Sequence, residues 1–293
     1  MVTIVVLSHN RPALLEKALR SIAEQTCTGC EVLVIDNASP SSGRVRDVVQ
    51  RFEGVRLLAN ATNRGFTGGM NQGLAEASGE YVYLTEDDIE LEPTCVAKLV
   101  DYLATHPTVA LAGPVMWNRR SLTIRCAGGS FSFGSVYRMH VTGVGKIDLP
   151  DTAPFETMYI PGAMIAARTA MLRSLGGFRS DFFMYGEDVE LCARVAERGW
   201  TMAIVPAARV FHHEPPDDPE PRAISFHKQK NLAALYMLHA PMRVLPGFFA
   251  RYLILDGGRR LLRDRGTLPT WLSAWMFALA RSPKFFADRL RRA

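Results

Sequence analysis

The chain has 293 residues, 48% of them hydrophobic and 22% charged, which is the mix of a packed globular protein and excludes disordered, collagen-like and disulfide-stapled small scaffolds. Its net charge of +5 conceals an asymmetry: residues 222–293 carry 14 Lys and Arg against 3 acids, a net of +11, whereas residues 1–221 carry 20 bases against 26 acids, a net of −6. An acidic body joined to a basic tail implies two roles.

The chain opens on Val2 to Leu7, a β-branched run suited to a strand buried on both faces. No basic leader precedes it, so a secretion signal is not expected. After Pro12, apolar residues at 14, 15, 18, 19 and 22 mark an amphipathic helix over Ala13 to Ala23. Glu31 to Asp36 reads as a strand, Val45 to Phe52 as a helix and Val55 to Leu58 as a strand. A glycine-studded loop, Asn63 to Gly69, leads into a helix through Ala77, followed by a strand over Tyr81 to Leu84 and a helix over Leu91 to Ala104. This alternation predicts an α/β fold with a Rossmann-like, mostly parallel central sheet. Ligands of such sheets sit beyond the carboxyl ends of the strands.

Residues 109–160, with glycines at 128, 129, 134, 143 and 145 among β-formers, read as short antiparallel strands and loops. Leu175-Gly176-Gly177-Phe178 is a helix stop, and Gly186 to Arg198 a helix closed by Gly199. Thr201 to Val205 and Arg209 to Phe211 read as strand pieces, and Glu214 to Pro221 as a proline-rich linker. The apolar run Leu268 to Ala280 is shorter than the roughly 20 residues a spanning helix needs. The expectation is a cytoplasmic protein, soluble or peripheral on the cytoplasmic face of the membrane.

Ser8, Asp36, Asn63 and Glu86-Asp87-Asp88 fall at or just beyond predicted strand ends. Adjacent carboxylates raise one another's pKa unless a cation or donor array compensates them. A divalent ion such as Mg2+ or Mn2+ takes one or two of them and completes its shell with phosphate oxygens and water. A solvated acidic turn or a helix cap is the competing explanation. Glu187-Asp188-Val189-Glu190 opens a helix just after Phe182-Phe183-Met184-Tyr185. The helix dipole alone accounts for acids there, yet apolar walls also keep a carboxylate basic enough to take a hydroxyl proton. His212-His213 ends a strand, either as a metal ligand or as a surface feature. Five scattered cysteines make no disulfide framework, and the lone Cys27-Thr28-Gly29-Cys30 pair cannot close a zinc site. The glycines of Asn63 to Gly73 match neither a P-loop nor a dinucleotide fingerprint, which demotes nucleotide hydrolases and dehydrogenases.

Seven phrases in series resemble family 2 glycosyltransferases of the A-type fold, and within them the rhamnosyltransferase-like branch. They are Val6-Leu7-Ser8-His9-Asn10-Arg11, Val34-Ile35-Asp36-Asn37-Ala38-Ser39, Asn63-Arg64-Gly65-Phe66 with Gly69 and Asn71-Gln72-Gly73, and Gly79-Glu80-Tyr81 running into Glu86-Asp87-Asp88. Gly176-Gly177-Phe178, Phe182 to Arg194 and Val210-Phe211-His212 complete the series. The resemblance implies that Ser8, Asn10, Asp36, Asn37, Asn63 and Gly65 bind the nucleotide together with Glu86 and Asp87. It further implies that Asp88 and His212 hold Mg2+ or Mn2+, that Asp188 is the general base of an inverting displacement, and that Glu187, Gly162 and Trp200 meet the acceptor. Glu86 stands where Asp is commoner, Met70 where Arg is frequent ahead of Asn71, and Gly43 where Asp is frequent, so base recognition differs in detail.

The implied partners are a dTDP-, UDP- or GDP-sugar, dTDP-rhamnose first, and a glycan, lipid-linked or small-molecule acceptor. The implied domains are a catalytic unit over 1–221, with its nucleotide-sugar half over 1–114 and its acceptor half over 115–221, and a helical basic extension over 222–293. In that extension, aromatic and aliphatic residues beside Arg259, Arg260, Arg263, Arg265, Arg281 and Lys284 suit either basic amphipathic helices on an anionic membrane surface or helices packed on the core. No recognition motif supports nucleic-acid binding. A sugar-phosphate nucleotidyltransferase would need a glycine-rich basic loop that Ser8 to Arg11 does not supply. A non-catalytic module of the same fold would have less reason to keep both acidic groups and His212.

Overall fold

In a computed structural model of the chain, residues 1–27, 29–149, 152–213, 221–263 and 266–291 are described. The first half alternates as its periodicity predicts: β1 (Val2–Ser8), α1 (Pro12–Ala23), β2 (Glu31–Asp36), α2 (Ser42–Val49), β3 (Val55–Ala59), α3 (Gly65–Glu76) and β4 (Tyr81–Glu86). Then come β5 (Ile89–Leu91), α4 (Cys95–Thr105), β6 (Val109–Asn118), β7 (Ile124–Cys126), and the hairpin of β8 (Gly129–Phe133) and β9 (Tyr137–Val141). β10 (Phe155–Glu156), β11 (Met164–Arg168), α5 (Thr169–Ser174), α6 (Glu187–Glu197) and β12 (Thr201–His212) close the sheet. The rest is helical: α7 (Arg222–His239), α8 (Leu245–Phe249), a π-helical stretch over Ala250–Asp256, α9 (Gly257–Arg263), α10 (Leu268–Ala280) and α11 (Ser282–Leu290).

Ten strands form the main sheet, in the order β10-β12-β6-β11-β4-β1-β2-β3, with β5 joined to β12 and β7 to β6. β4, β1, β2 and β3 are mutually parallel, as are β12 and β6, while β11 runs antiparallel between β4 and β6. All seven residues of β1 are buried, as a mostly β-branched strand with parallel neighbours on both edges should be. The register pairs Ser8 with Asp36 and Leu7 with Glu86, so the nucleotide and acidic candidates leave the sheet at one edge. Two antiparallel pairings finish that edge. β11 pairs Met164 with Thr85 and sets Gly162 near the end of β4, and β12 pairs His212 with Ile89 and carries it to Asp88.

Several predicted boundaries move for physical reasons. The loop expected over Asn63–Gly69 is already helical from Gly65, because Gly69 and Gly73 leave room for Leu7 and Val5 and let α3 press onto β1. The two strand pieces after Trp200 are one strand with a register shift between Val205 and Arg209, where Pro206 cannot donate to the ladder. The helix expected from Leu91 begins at Cys95, since Ile89–Leu91 is drawn into the sheet by β12. The predicted linker lies outside the described residues except for Pro221. Cys27 and Cys30 form one short-range disulfide rather than a framework, and Cys95, Cys126 and Cys192 are free and buried.

In the C-terminal helices, Trp271, Trp275 and Phe285 are buried and Phe248 stacks on Tyr236 at 3.5 Å. These aromatic side chains therefore face α7 and the core, not a membrane. Ile254, Leu255, Leu261 and Leu262 remain exposed. Among the described residues, no helix is long and apolar enough to cross a membrane.

A buried ionic network ties α6 to α7. Arg194 pairs with Glu190 at 2.6 Å, and His239 reaches Glu197 at 2.6 Å through Nδ1 and Glu190 at 3.6 Å through Nε2. Burial works to raise Glu190, but His239 and Arg194 overcome it and hold the carboxyl down at about 2. Burial works to lower His239, but Glu190 and Glu197 hold it above the ordinary imidazole value. The Glu190 contribution to stability is thus present above ~4.3 and fades as pH falls, while that of His239 is complete below ~6.5 and is lost as pH rises through its raised value. The melting-temperature gap between wild type and His239→Gln should be widest near pH 5–6, at about 2–4 °C per kcal/mol for a chain of this size, and should narrow by about pH 9. A gap that stays constant with pH would show that His239 is not charged in the fold.

Candidate active site

A cleft of about 500 Å³ opens at the carboxyl edge of the sheet, walled by Phe66, Glu86, Tyr159, Gly162, Glu187, Asp188 and His212 among others. One end of it is the acidic turn after β4. Ser8 Oγ–H donates to Asp87 Oδ2 at 2.7 Å, and the His9 backbone N–H donates to the same oxygen at 3.3 Å. The Arg11 guanidinium closes the turn, 2.7 Å from Asp87 Oδ1, in contact with Asp88 Oδ2, and 4.0 Å from Glu86 Oε1. Burial pushes Asp87 up to about 6 despite Arg11; burial and then the Asp88 charge push Glu86 up to about 8.

Asp88 is buried, its Oδ1 has no hydrogen-bond partner, and His212 Nε2 stands 3.7 Å from its Oδ2. An orphaned carboxylate oxygen beside an imidazole is a donor set that fits Mn2+ or Mg2+, provided phosphate oxygens and water complete the shell. Among the described residues, no three His, Cys, Asp or Glu side chains are grouped to hold an ion by themselves.

Around this end the loops are tied to one another. Asn37 Nδ2 donates to Asn63 Oδ1 and to the Gly65 carbonyl, both at 3.0 Å, while Asn37 Oδ1 accepts the Arg64 N–H at 2.9 Å. Asp36 Oδ1 accepts the Ser39 N–H at 3.0 Å. Asn10, with φ of 58°, donates its N–H to Ser39 Oγ at 2.7 Å and accepts from Ser41 Oγ at 2.8 Å.

The opposite wall is the start of α6. Phe183 and Tyr185 both take left-handed φ, 66° and 65°, ahead of Gly186 at 83°. Such angles cost roughly 1–3 kcal/mol at each side-chain-bearing residue, and they turn the chain so that α6 begins facing the cleft. Asp188 Oδ2 accepts the Tyr159 O–H at 2.7 Å and its Oδ1 accepts the Val189 N–H at 2.8 Å. Burial raises the Asp188 pKa above the usual carboxylate range, with those hydrogen bonds opposing; burial and then the Asp188 charge raise Glu187 well above its ordinary value. A desolvated carboxylate held in a fixed rotamer is equipped to take a proton.

The sequence model described as Glycosyl transferase family 2 matches residues 3–172, more than half of the chain. The chain belongs to glycosyl transferase family 2. It is 25% identical over 249 residues to the N-acetylglucosaminyl-diphospho-decaprenol L-rhamnosyltransferase of Mycobacterium tuberculosis, covering 77% of this chain and 81% of that protein. Among solved structures, GalNAc-T7 with UDP, GalNAc and Mn2+ superposes with a TM-score of 0.67 at 16% identity, over 81% of this chain and 48% of that one. This chain therefore spans about half the length of GalNAc-T7. The mannosyltransferase PcManGT from Pyrobaculum calidifontis, in complex with GDP-Man and Mn2+, has a TM-score of 0.60 at 22% identity, over 98% of this chain and 78% of that one. The predicted A-type fold and the glycosyltransferase assignment both hold.

In this glycosyltransferase the fold brings Glu86, Gly162, Glu187, Asp188 and His212 to one cleft. Asp87 and Asp88 follow Glu86 in the acidic turn, Ser8 at the end of β1 hydrogen-bonds Asp87, and Asn37 and Asn63 spend their amides holding the neighbouring loops. Trp200 does not join them. It sits between the end of α6 and the start of β12, whereas Asp188 and His212 lie at the other ends of those elements, which 11 residues of helix and 12 of strand keep apart. Its expected acceptor contact is withdrawn. Two residues went unassigned from sequence. Tyr159 lies in the irregular stretch before β11, where no periodicity marks it. Arg11 stands inside a matched phrase, and the uncompensated charge of Glu86-Asp87-Asp88 was the signal that a cation must lie near.

Proposed function

We propose that this glycosyltransferase is an inverting, metal-dependent enzyme that moves a sugar from a nucleoside diphosphate to an acceptor hydroxyl, with rhamnosyl transfer from dTDP-rhamnose to a lipid-linked or cell-surface glycan as the first candidate. The observation that carries the reading is that a desolvated carboxylate, Asp188, and the pair Glu86 and His212 wall one cleft. The mycobacterial relative, named for rhamnosyl transfer to a decaprenol-linked sugar, supports the sugar and the acceptor class. The UDP and GDP-Man held by the two structural neighbours support a nucleoside diphosphate donor, and their Mn2+ supports the metal.

Asp88 and His212 would hold Mg2+ or Mn2+, whose chemistry there is Lewis-acid neutralisation of the charge growing on the departing diphosphate. Asp188 takes the proton of the attacking hydroxyl, and its raised pKa suits it to that task. Tyr159 keeps the carboxylate aimed, and Arg11, Ser8 and the His9 N–H oppose the burial that raises Asp87 at the ribose end. Met116, Arg125, Val141 and Val144 extend the wall beside Asp188, which supports an acceptor side built from residues 115–160. The helices beyond 222 form the extension, and exposed Ile254, Leu255, Leu261 and Leu262 near Arg251 and Arg259 support docking on an anionic membrane on the cytoplasmic side.

Calorimetric titration with UDP, dTDP and GDP, each with and without Mn2+, tests the donor end. One nucleotide should bind only when Mn2+ is present. Folded protein that binds none of the three would return the chain to the non-catalytic module.

A further inference from the structure

The loop that delivers Asp188 is held only in part by its own backbone, through the Phe182 N–H to the Arg179 carbonyl and the Met184 N–H to the Phe182 carbonyl. Phe183 and Tyr185 keep left-handed angles that aromatic residues rarely adopt, so neighbouring groups must impose them. Most of those groups come from α7, which lies beyond the residues 3–172 matched by the family model. Asn231 Nδ2 stands 3.0 Å from the Phe182 carbonyl, 2.9 Å from that of Met184 and 2.6 Å from that of Tyr185, sharing its two hydrogens among them. Lys230 Nζ donates to the Asp181 carbonyl at 2.9 Å, to that of Phe182 at 3.0 Å, and to Asn231 Oδ1 at 2.6 Å. The Thr67 N–H at the start of α3 takes the remaining carbonyl, that of Phe183, at 3.1 Å. Five consecutive carbonyls are thus held by donors from α7 and α3, while Met184, Tyr185 and Glu187 line the cleft.

We propose that Lys230 and Asn231 are positioning residues for the acceptor side of the active site: by anchoring the carbonyls of residues 181, 182, 184 and 185 they fix where α6 begins, and so how Asp188 and Tyr185 face the acceptor. The inference rests on the transferase reading above. Both residues are buried, at 4% and 2% exposure, and neither hydrogen-bonds any residue of the acidic turn or of the loops after β1 and β2. Their effect should therefore fall on one substrate and spare the other. Loss of general packing between α7 and the core would instead weaken donor and acceptor parameters together.

Asn231→Asp keeps the shape and still accepts from Lys230, but offers no N–H to the carbonyls. With dTDP-rhamnose as donor and an N-acetylglucosaminyl-diphospho-lipid as acceptor, kcat should fall about 10–100-fold and the acceptor KM should rise. The donor KM and the calorimetric Kd for the nucleotide should stay within about twofold, the placement of Asp188 alone being changed. Lys230→Met should do the same, and Lys230→Arg, which retains the donors, should recover most of the loss. If Asn231→Asp does not fold, the two Lys230 variants carry the test. Unchanged kcat, or equal losses for donor and acceptor, in variants that still bind nucleotide overturns the inference and leaves the transferase reading intact. A wild-type chain that transfers sugar from none of the dTDP-, UDP- and GDP-sugars overturns both.

Discussion

Asp188→Asn should cut turnover at least ~100-fold while leaving nucleotide affinity unchanged, because it removes the proton acceptor and little else. The amide oxygen can still accept from Tyr159 and the side chain has nearly the same volume, but the amide NH2 then cannot accept the Val189 N–H, so one local hydrogen bond is lost. The folded Asp188 pKa is raised, so the protonated form is favoured by folding and the ionised form costs stability at neutral pH. Asn carries no such cost, which offsets the lost Val189 bond, so the melting temperature of the variant relative to wild type should be highest near neutral pH and should fall as the pH is lowered. Wild-type turnover should fall as pH drops through the raised Asp188 value, giving an acid limb above the ordinary ~3.9 of an aspartate. Single-turnover rates and a thermal scan check both halves, and near-normal turnover in the variant would remove Asp188 from the role of base.

Asp88→Ala should abolish the metal dependence of nucleotide binding. Of the two residues proposed to hold the ion, the variant leaves the His212 imidazole, and a lone ligand does not compete with water for a hard cation. The Kd for the diphosphate measured with Mn2+ should rise at least ~10-fold, to the value measured without it. Arg11 loses one partner but keeps Asp87 at 2.7 Å, so the turn itself should stay folded. Unchanged Mn2+-dependent binding would sink the assignment of Asp88 and, with it, that of His212.

Much of this site was legible before the fold. β1, β2 and β4 are short apolar runs with polar residues at their carboxyl ends, and a parallel sheet aligns such ends automatically, which is why Ser8, Asp36 and Glu86 emerge together. Asp188 was singled out through the resemblance of Phe182 to Arg194 to the family, since the acids in that first helical turn are accounted for by the helix dipole alone. Residues placed by long-range pairing were not legible. Tyr159 reaches Asp188 only because β11 inserts antiparallel between β4 and β6, and no local pattern announces that insertion. Trp200 was misplaced because a helix and a strand of ordinary length separate the two ends of α6 and β12, a distance invisible to a reading that treats neighbouring motifs as neighbouring atoms. The aromatic residues of α10 and α11 were open to two readings because their partner, the buried face of α7, shows no clear amphipathic stripe of its own.

The pairing of β12 with β5 has a consequence for how the protein comes into being. It joins His212 to the strand beginning at Ile89, a loop whose closure entropy must be met before the contact contributes anything. During synthesis, β1 to β4 can be complete while His212 and the start of α6 are still unmade. On the roles proposed above, the nascent chain would carry the Ser8 and Asp36 edge well before Asp188 and His212, and the cleft would be complete only once β12 and then α7 are laid down.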